Sequence, residues 1–223
     1  FFEHKALVAS MFAQKEHNEF VQAYHYINDY KMLYSRETRL IPLKDMQSWN
    51  FTDYEIVNKN DYAFKVIFCD IEIEGREVTH WTQPLFEAVG IATFGLFVAN
   101  FEGKYKFLIN ALPEAGCFDK IEFAPTVQLE ASQKIEAQNE ITRLFFERYT
   151  KKQGIKNDVI LSEEGGRFYQ EQNRNVVMEI PSDLIKELPK GYFWLDYRTL
   201  NEMIQFNNVL NIQLRNLLSL LDL

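Results

Sequence analysis

Three stretches of the chain gather polar side chains that packing alone does not require. In the first, His80-Trp81-Thr82-Gln83-Pro84, an indole and an amide stand two residues apart just before a proline. Such a pair can stack on a base or sugar ring while the amide hydrogen-bonds it. A packed Trp beside a solvated Gln is the structural alternative. The second stretch, Ile109 to Glu130, carries Glu114, Thr126 and Gln128 around Pro113, Gly116 and Pro125. The prolines fix φ and the glycine permits a left-handed turn, so a stiff loop between two strands is expected, shaped to wall a polar pocket on a sheet. A hairpin connection with satisfied side chains would use the same residues. In the third, Ser162 to Tyr169 followed by Asn173-Arg174, the pair Gly165-Gly166 lets the backbone approach closely. Arg167 and Arg174 are suited to fork onto phosphate oxygens, and Tyr169 to donate a proton or stack. A solvated charged turn is the alternative there.

Other chemistry has no signature. A GK[ST] phosphate loop, a dinucleotide fingerprint, a GxSxG elbow and an HExxH helix are all missing. His80 and Cys117 lack a third group to orient them as a thiolate pair. Cys69 and Cys117 are the only cysteines and the four histidines are scattered, so neither a disulfide framework nor a metal site is expected.

The elements that would position these groups follow from periodicity. Leu7, Val8, Met11 and Phe12, then Phe20, Tyr24 and Ile27, recur at helical spacing and predict two helices between Lys5 and Leu33, their aromatic face packed on the body. Pro42 ends helical structure and Trp49 offers an anchor for the first loop. Strands are expected over Glu55–Val57, Tyr62–Ile73, Val78–Phe86, Ile91–Phe101 and Tyr105–Leu112, where β-branched and aromatic residues alternate between turn residues. Glu102-Gly103-Lys104 is the clearest hairpin turn. Glu136–Tyr149 predicts a helix, Val159–Leu161, Asn175–Ile180 and Tyr192–Leu195 strands, and Ser182–Leu188 a short helix after Pro181. Thr199 and Glu202 form a capping-box pattern, and Asn211–Leu221 closes the chain as an amphipathic helix. One α+β domain is expected: a mixed or antiparallel sheet flanked by helices, with a helical segment over 1–40 ahead of the body at 41–223.

The 223 residues can bury a sizeable core without staples, and 19 Phe and 11 Tyr supply aromatic filling. A net charge of −8 with no basic stripe argues against a nucleic-acid partner, while one or two placed arginines still suffice for a diphosphate. No apolar run is long enough to span a bilayer, and the opening FFEHKALVASMF has no secretion pattern, so a soluble, cytoplasmic protein without a membrane partner is expected.

In order and spacing, WTQPLF from Trp81, NALPEAGCFDKIEFAPTVQ from Asn110, SEEGGRFYQEQNRNVVMEI from Ser162 and the run from Tyr192 to Leu221 resemble the NDP-hexose 2,3-dehydratases. The resemblance reaches back to IPLKDMQSW at Ile41 and covers about four-fifths of the chain. It implies a Nudix-like fold, one copy of a unit that those enzymes carry twice, closer to their C-terminal copy, and pairing of the chain with itself as a homodimer. The implied substrate is a nucleotide-linked 4-keto-6-deoxyhexose that loses its C2 hydroxyl after C3 proton abstraction, with neither metal nor nicotinamide required. Carried onto this chain, Trp81 and Gln83 would contact the nucleotide or sugar, and Thr126 and Gln128 would line the sugar pocket. Glu114 would act as acid or base and Tyr169 as a second acid. Arg167 would hold the diphosphate or the domain's own carboxylates, with Asn173 and Arg174 also on the substrate. The chain departs from the family pattern at Leu112, where the family shows a basic residue, at Glu130-Ala131-Ser132-Gln133-Lys134 and at Asn58-Lys59-Asn60-Asp61. A non-catalytic sugar-nucleotide-binding or partner-subunit role is therefore the alternative. Nudix-type diphosphate hydrolysis lacks its REUxEExGU helix; Glu136 and Glu140 lie at i,i+4, a spacing that suits a shared cation, with a solvated helix face as the structural alternative.

Overall fold

The computed structural model describes residues 2–13, 17–33, 39–114, 120–163 and 166–221. Two helices open it, α1 (His4–Met11) and α2 (His17–Leu33). A four-stranded antiparallel meander follows: β1 (Trp49–Phe51), β2 (Glu55–Asn58), β3 (Phe64–Glu72) and β4 (His80–Ala88). The larger sheet comprises β5 (Ala92–Phe101), β6 (Lys104–Pro113), β7 (Ile121–Ala124), β8 (Val127–Leu129), β9 (Ile155–Ser162), β10 (Gln172–Ile180) and β11 (Tyr192–Asp196). Its main path runs β11-β6-β5-β10-β9. The β5–β10 pair is parallel, so the sheet is mixed and the fold α+β.

The centre of the large sheet is apolar on both faces because both are covered. Phe97, Leu108, Val176 and Met178 face α3 (Glu140–Thr150), which buries Ile141 and Phe145 against them. Gly95 makes this approach possible: a Cβ there would lie 2.3 Å from the Phe145 ring. On the other face, Leu96, Phe107, Ile109, Phe123 and Val177 pack with α1 and α2 and with the closing helices α4 (Tyr197–Ile204) and α5 (Ile212–Ser219). The N-terminal helices thus share the core of the large sheet. Asn139 caps α3 through Thr142 N at 2.9 Å, and the acidic Glu140 and basic Arg148 suit its two ends.

The β5–β6 hairpin closes on Glu102 and Gly103 as expected, with Gly103 at positive φ; Glu102 also has positive φ, which its residue type did not indicate. Its open end splays. Residues 110–113 of β6 pair with β7, residues 93–95 of β5 pair with β8, and the corner between β7 and β8 fills the fork. The stretch expected to be a loop between two strands is therefore itself two short strands, Ile121–Ala124 and Val127–Leu129; Gly116 and Cys117 lie outside the described residues.

Two expectations are corrected. Ser182–Leu188 contains no helix: a single turn closes from Leu184 N to Pro181 O at 3.1 Å, and seven residues between two prolines are too few to sustain more. The capping box at Thr199 does not form. Helix α4 starts earlier and is capped by Asp196, whose carboxylate accepts from Thr199 N at 2.8 Å, leaving Thr199 buried inside the first turn.

Candidate functional site

A cavity of about 700 Å³ opens between the end of the small sheet and the splayed end of the large one. Tyr62, Phe64, Phe86 and Phe168 form one wall, with centroid separations of 5.0, 5.0 and 6.3 Å along the series. Phe168 belongs to this wall because residues 167–169 run beside β4: Phe86 N donates to Arg167 O at 2.7 Å and Tyr169 N to Phe86 O at 2.8 Å. Glu114 enters from the end of β6, Glu130 from the end of β8, and Glu171 and Asn173 from the start of β10. Gly90, with φ of 98°, lets the β4–β5 turn close on the 130–133 turn: a Cβ there would meet Ala131 Cβ at 2.9 Å.

The carboxylates are not equivalent. Glu114 is held through Oε1, which accepts from Asn211 Nδ2 at 3.2 Å. Burial pushes the Glu130 carboxyl above the usual range, and the nearby Glu171 and Glu114 charges push it further. Burial also raises Glu171, opposed by the hydrogen bond from Asn173 Nδ2 at 3.4 Å and assisted by Glu163. One chamber thus contains a carboxyl group held by a hydrogen bond and another biased toward its neutral form. No Lys or Arg is among the described residues that line it.

Of the candidate catalytic and binding residues, Glu114 and Asn173 line the chamber, and so do Asp61 and Glu130 to Gln133 from the segments that depart from the family pattern. Gln128 stands behind it, its Oε1 accepting from Asn211 at 3.0 Å. Arg167 is exposed and does not line the chamber; its guanidinium lies 5.8 Å from the centre of the Phe168 ring, which does. Tyr169 lines an adjoining groove of about 260 Å³ that shares Ala88, Gly90 and Glu171 with the chamber.

Three expectations fall elsewhere. Thr126 is buried at the β5–β6 fork, where its hydroxyl donates to Leu108 O at 2.5 Å and accepts from Phe97 N at 2.8 Å; both hydroxyl functions are spent on the backbone. Trp81 and Gln83 lie on the face of β4 opposite Phe86, as strand alternation demands, and Trp81 Nε1 donates to Gln83 Oε1 at 2.8 Å while Gln83 Nε2 donates to Gly166 O at 3.1 Å. Arg174, next to Asn173, points to the opposite face of β10 and bonds Asp158 at 2.9 Å and the Tyr149 hydroxyl at 2.8 Å.

Sequence reasoning found no sign of Glu171 or the aromatic wall and marked Glu130 only as the start of a departure from the family pattern, although the alternation in β3 and β4 is consistent with Phe64 and Phe86 on one face. Glu136 and Glu140 belong to separate elements, a single 3-10 turn (Ile135–Ala137) and α3. Among the described residues, no group of three or more His, Cys, Asp or Glu is arranged to hold a metal ion, and no helix is long and apolar enough to cross a membrane.

This is a mixed-sheet α+β protein with a chamber walled by aromatic rings on one side and carboxyl groups on the other. The chain belongs to the NDP-hexose 2,3-dehydratase family, whose model matches residues 21–221. It is 32% identical over 200 residues to dTDP-4-dehydro-6-deoxy-alpha-D-glucopyranose 2,3-dehydratase from Saccharopolyspora spinosa, covering 89% of this chain and 41% of that protein. To the protein of the same name from Streptomyces violaceoruber it is 30% identical over 197 residues, 87% of this chain and 44% of that one. The chain spans less than half the length of these relatives. Among solved structures, C. elegans Ap4A hydrolase aligns with 52% of this chain and 86% of its own, at 11% identity and a TM-score of 0.33.

Proposed function

We propose that the chamber binds the sugar end of a nucleotide-linked 4-keto-6-deoxyhexose and that the chain takes part in its 2,3-dehydration, within deoxysugar biosynthesis. The observation that carries this reading is the meeting of Glu114 and Glu130 in one cavity of a chain from this family. The C4 carbonyl acidifies the C3 proton, which Glu114 takes as base. The enolate pair then closes the C2–C3 double bond as the C2 oxygen leaves with the Glu130 proton, as water. The resulting enol tautomerises to the 3,4-diketo sugar. The aromatic wall excludes water and offers ring faces to the deoxy side of the sugar. Arg167, exposed beside the Phe168 ring of the aromatic wall, is the cation for the diphosphate, whose charge the acidic chamber itself would repel.

The same lining supports a second reading, a subunit that binds the nucleotide sugar without turning it over, because no Lys or Arg is among the described residues lining the chamber and Leu112 stands where the family shows a basic residue. Two copies pairing as a cytoplasmic homodimer would restore roughly the length of the relatives. Incubation with dTDP-4-keto-6-deoxyglucose, following loss of the C2 hydroxyl by NMR, tests the first reading. Saturable calorimetric binding without turnover selects the second, and no binding rejects both. Release of a nucleoside monophosphate in Mg²⁺ would instead mark diphosphate hydrolysis.

A further inference from the structure

Asn211 stands 97 positions from Glu114 in sequence and is 3% exposed. Its backbone is fixed to β7: Asn211 N donates to Phe123 O at 2.8 Å, and Phe123 N to Val209 O at 2.7 Å. Its side chain is fixed as well. Oδ1 accepts from Leu214 N at 3.0 Å as the cap of α5, while Nδ2 donates to Glu114 Oε1 at 3.2 Å and to Gln128 Oε1 at 3.0 Å. Only one orientation of the amide satisfies all three bonds, since a reversed amide would set its NH₂ against the Leu214 N–H and its oxygen against two acceptors.

A helix cap needs only an oxygen. Ser, Thr, Asp and Asn all serve, but among these Asn alone also has an amide donor to turn toward Glu114. The donor is neutral, so it orients the carboxylate without setting a cation beside it. Among the described residues, no other side chain hydrogen-bonds Glu114. The other carboxyl groups lining the chamber, Asp61, Glu130 and Glu171, would repel an ionised Glu114, so its place must be set by a donor behind it.

We infer that Asn211 is a positioning residue for the chamber: through its amide it holds Glu114 Oε1, so that Oε2 is presented to the C3 position of the bound sugar, and it locks Gln128 in the same step. The inference rests on the reading of Glu114 as base. It also makes the start of α5 part of the site's support, so the C-terminal helix serves more than packing.

Asn211→Asp and Asn211→Ser test it, because both keep an oxygen for Leu214 N: the aspartate has no donor, and the serine replaces the amide NH₂ with a single shorter hydroxyl already engaged by Leu214 N. Both variants are expected to keep the wild-type circular dichroism. With the nucleotide sugar as substrate, kcat should fall about 100-fold, the loss typical of a group misplaced by about 1 Å, with KM within about threefold. Crystal structures of the wild type and of either variant without ligand should show the Glu114 carboxylate displaced by more than about 1 Å with α5 in place. Folded variants with unchanged kcat, or an undisplaced Glu114, would overturn the inference. If the wild type neither binds nor converts the sugar, the proposed reaction fails instead, and the displacement of Glu114 still decides whether Asn211 positions it.

Discussion

Thr126 and Leu108 are joined at the point where β5 and β6 part: the threonine hydroxyl donates to the Leu108 carbonyl at 2.5 Å and accepts from Phe97 N at 2.8 Å. Phe97 and Leu108 are the last pair of the β5–β6 ladder before the fork, so one hydroxyl completes two backbone groups that no strand can reach. Thr126→Val keeps the shape and leaves both groups buried and unpaired, which is expected to cost about 2–4 kcal/mol in urea unfolding. Thr126→Ser keeps both bonds and should lose about 1 kcal/mol with its methyl group.

Close packing rather than hydrogen bonding decides the opposite face. A Cβ on Gly95 would lie 2.3 Å from the Phe145 ring, which is fully buried and stands 5.4 Å from Phe97, so neither ring can give way. Gly95→Ala is expected to destabilise by about 1–3 kcal/mol, the usual range for overpacking. Combined with Phe145→Leu it should cost less than the two single changes added together, a non-additivity that a double-mutant cycle by denaturant unfolding measures.

Much of this fold was legible, and the parts that were not have physical reasons. Two-residue alternation marked β3 to β6, and the positive φ at Gly103 followed from its residue type, whereas that at Glu102 did not. Alternation also held information about the site: Asn173 and Arg174 are neighbours on one strand, so they face opposite ways and only one can enter the chamber. Trp81 and Gln83 shared a face, but nothing local said whether that face or the one with Phe86 met the chamber, because that depends on how residues 166–169 return beside β4. Glu171 stood in the sequence as an ordinary charged residue, and Glu130 only as the start of a segment that departs from the family pattern. Their distinction comes from burial and from neighbouring carboxylates, Glu171 and Glu114 for Glu130 and Glu163 for Glu171, and both are tertiary properties.

The aromatic wall gives a separate test of binding. Phe168 is half-buried, packs 6.3 Å from Phe86 and lines the chamber without a polar role. Phe168→Leu keeps apolar volume and removes the ring face. Affinity for the nucleotide sugar is expected to weaken about three- to tenfold, the equivalent of one aromatic contact, with stability nearly unchanged. Calorimetric titration of the folded variant measures it.

Glu130 links the chamber to pH. Its carboxyl is raised in the folded protein, first by burial and then by Glu171 and Glu114, so the native state holds a proton that the unfolded chain has released. Stability from this group is therefore fully present below the ordinary carboxylate pKa and declines as pH rises from there through the raised value. Glu130→Gln removes the buried charge. At pH 7 it should melt a few degrees higher than the wild type, and its stability should depend less on pH between about 4.5 and 7. Activity should move the other way. In the wild type, turnover is expected to fall as pH rises through the raised pKa and the acid loses its proton, and Glu130→Gln should lose that limb together with about 100-fold or more of kcat. A gain in melting temperature paired with a loss of turnover separates a proton donor from a residue that merely packs. Scanning calorimetry and a pH–rate profile on the same two proteins check both halves, and a variant that keeps wild-type turnover would remove Glu130 from the mechanism.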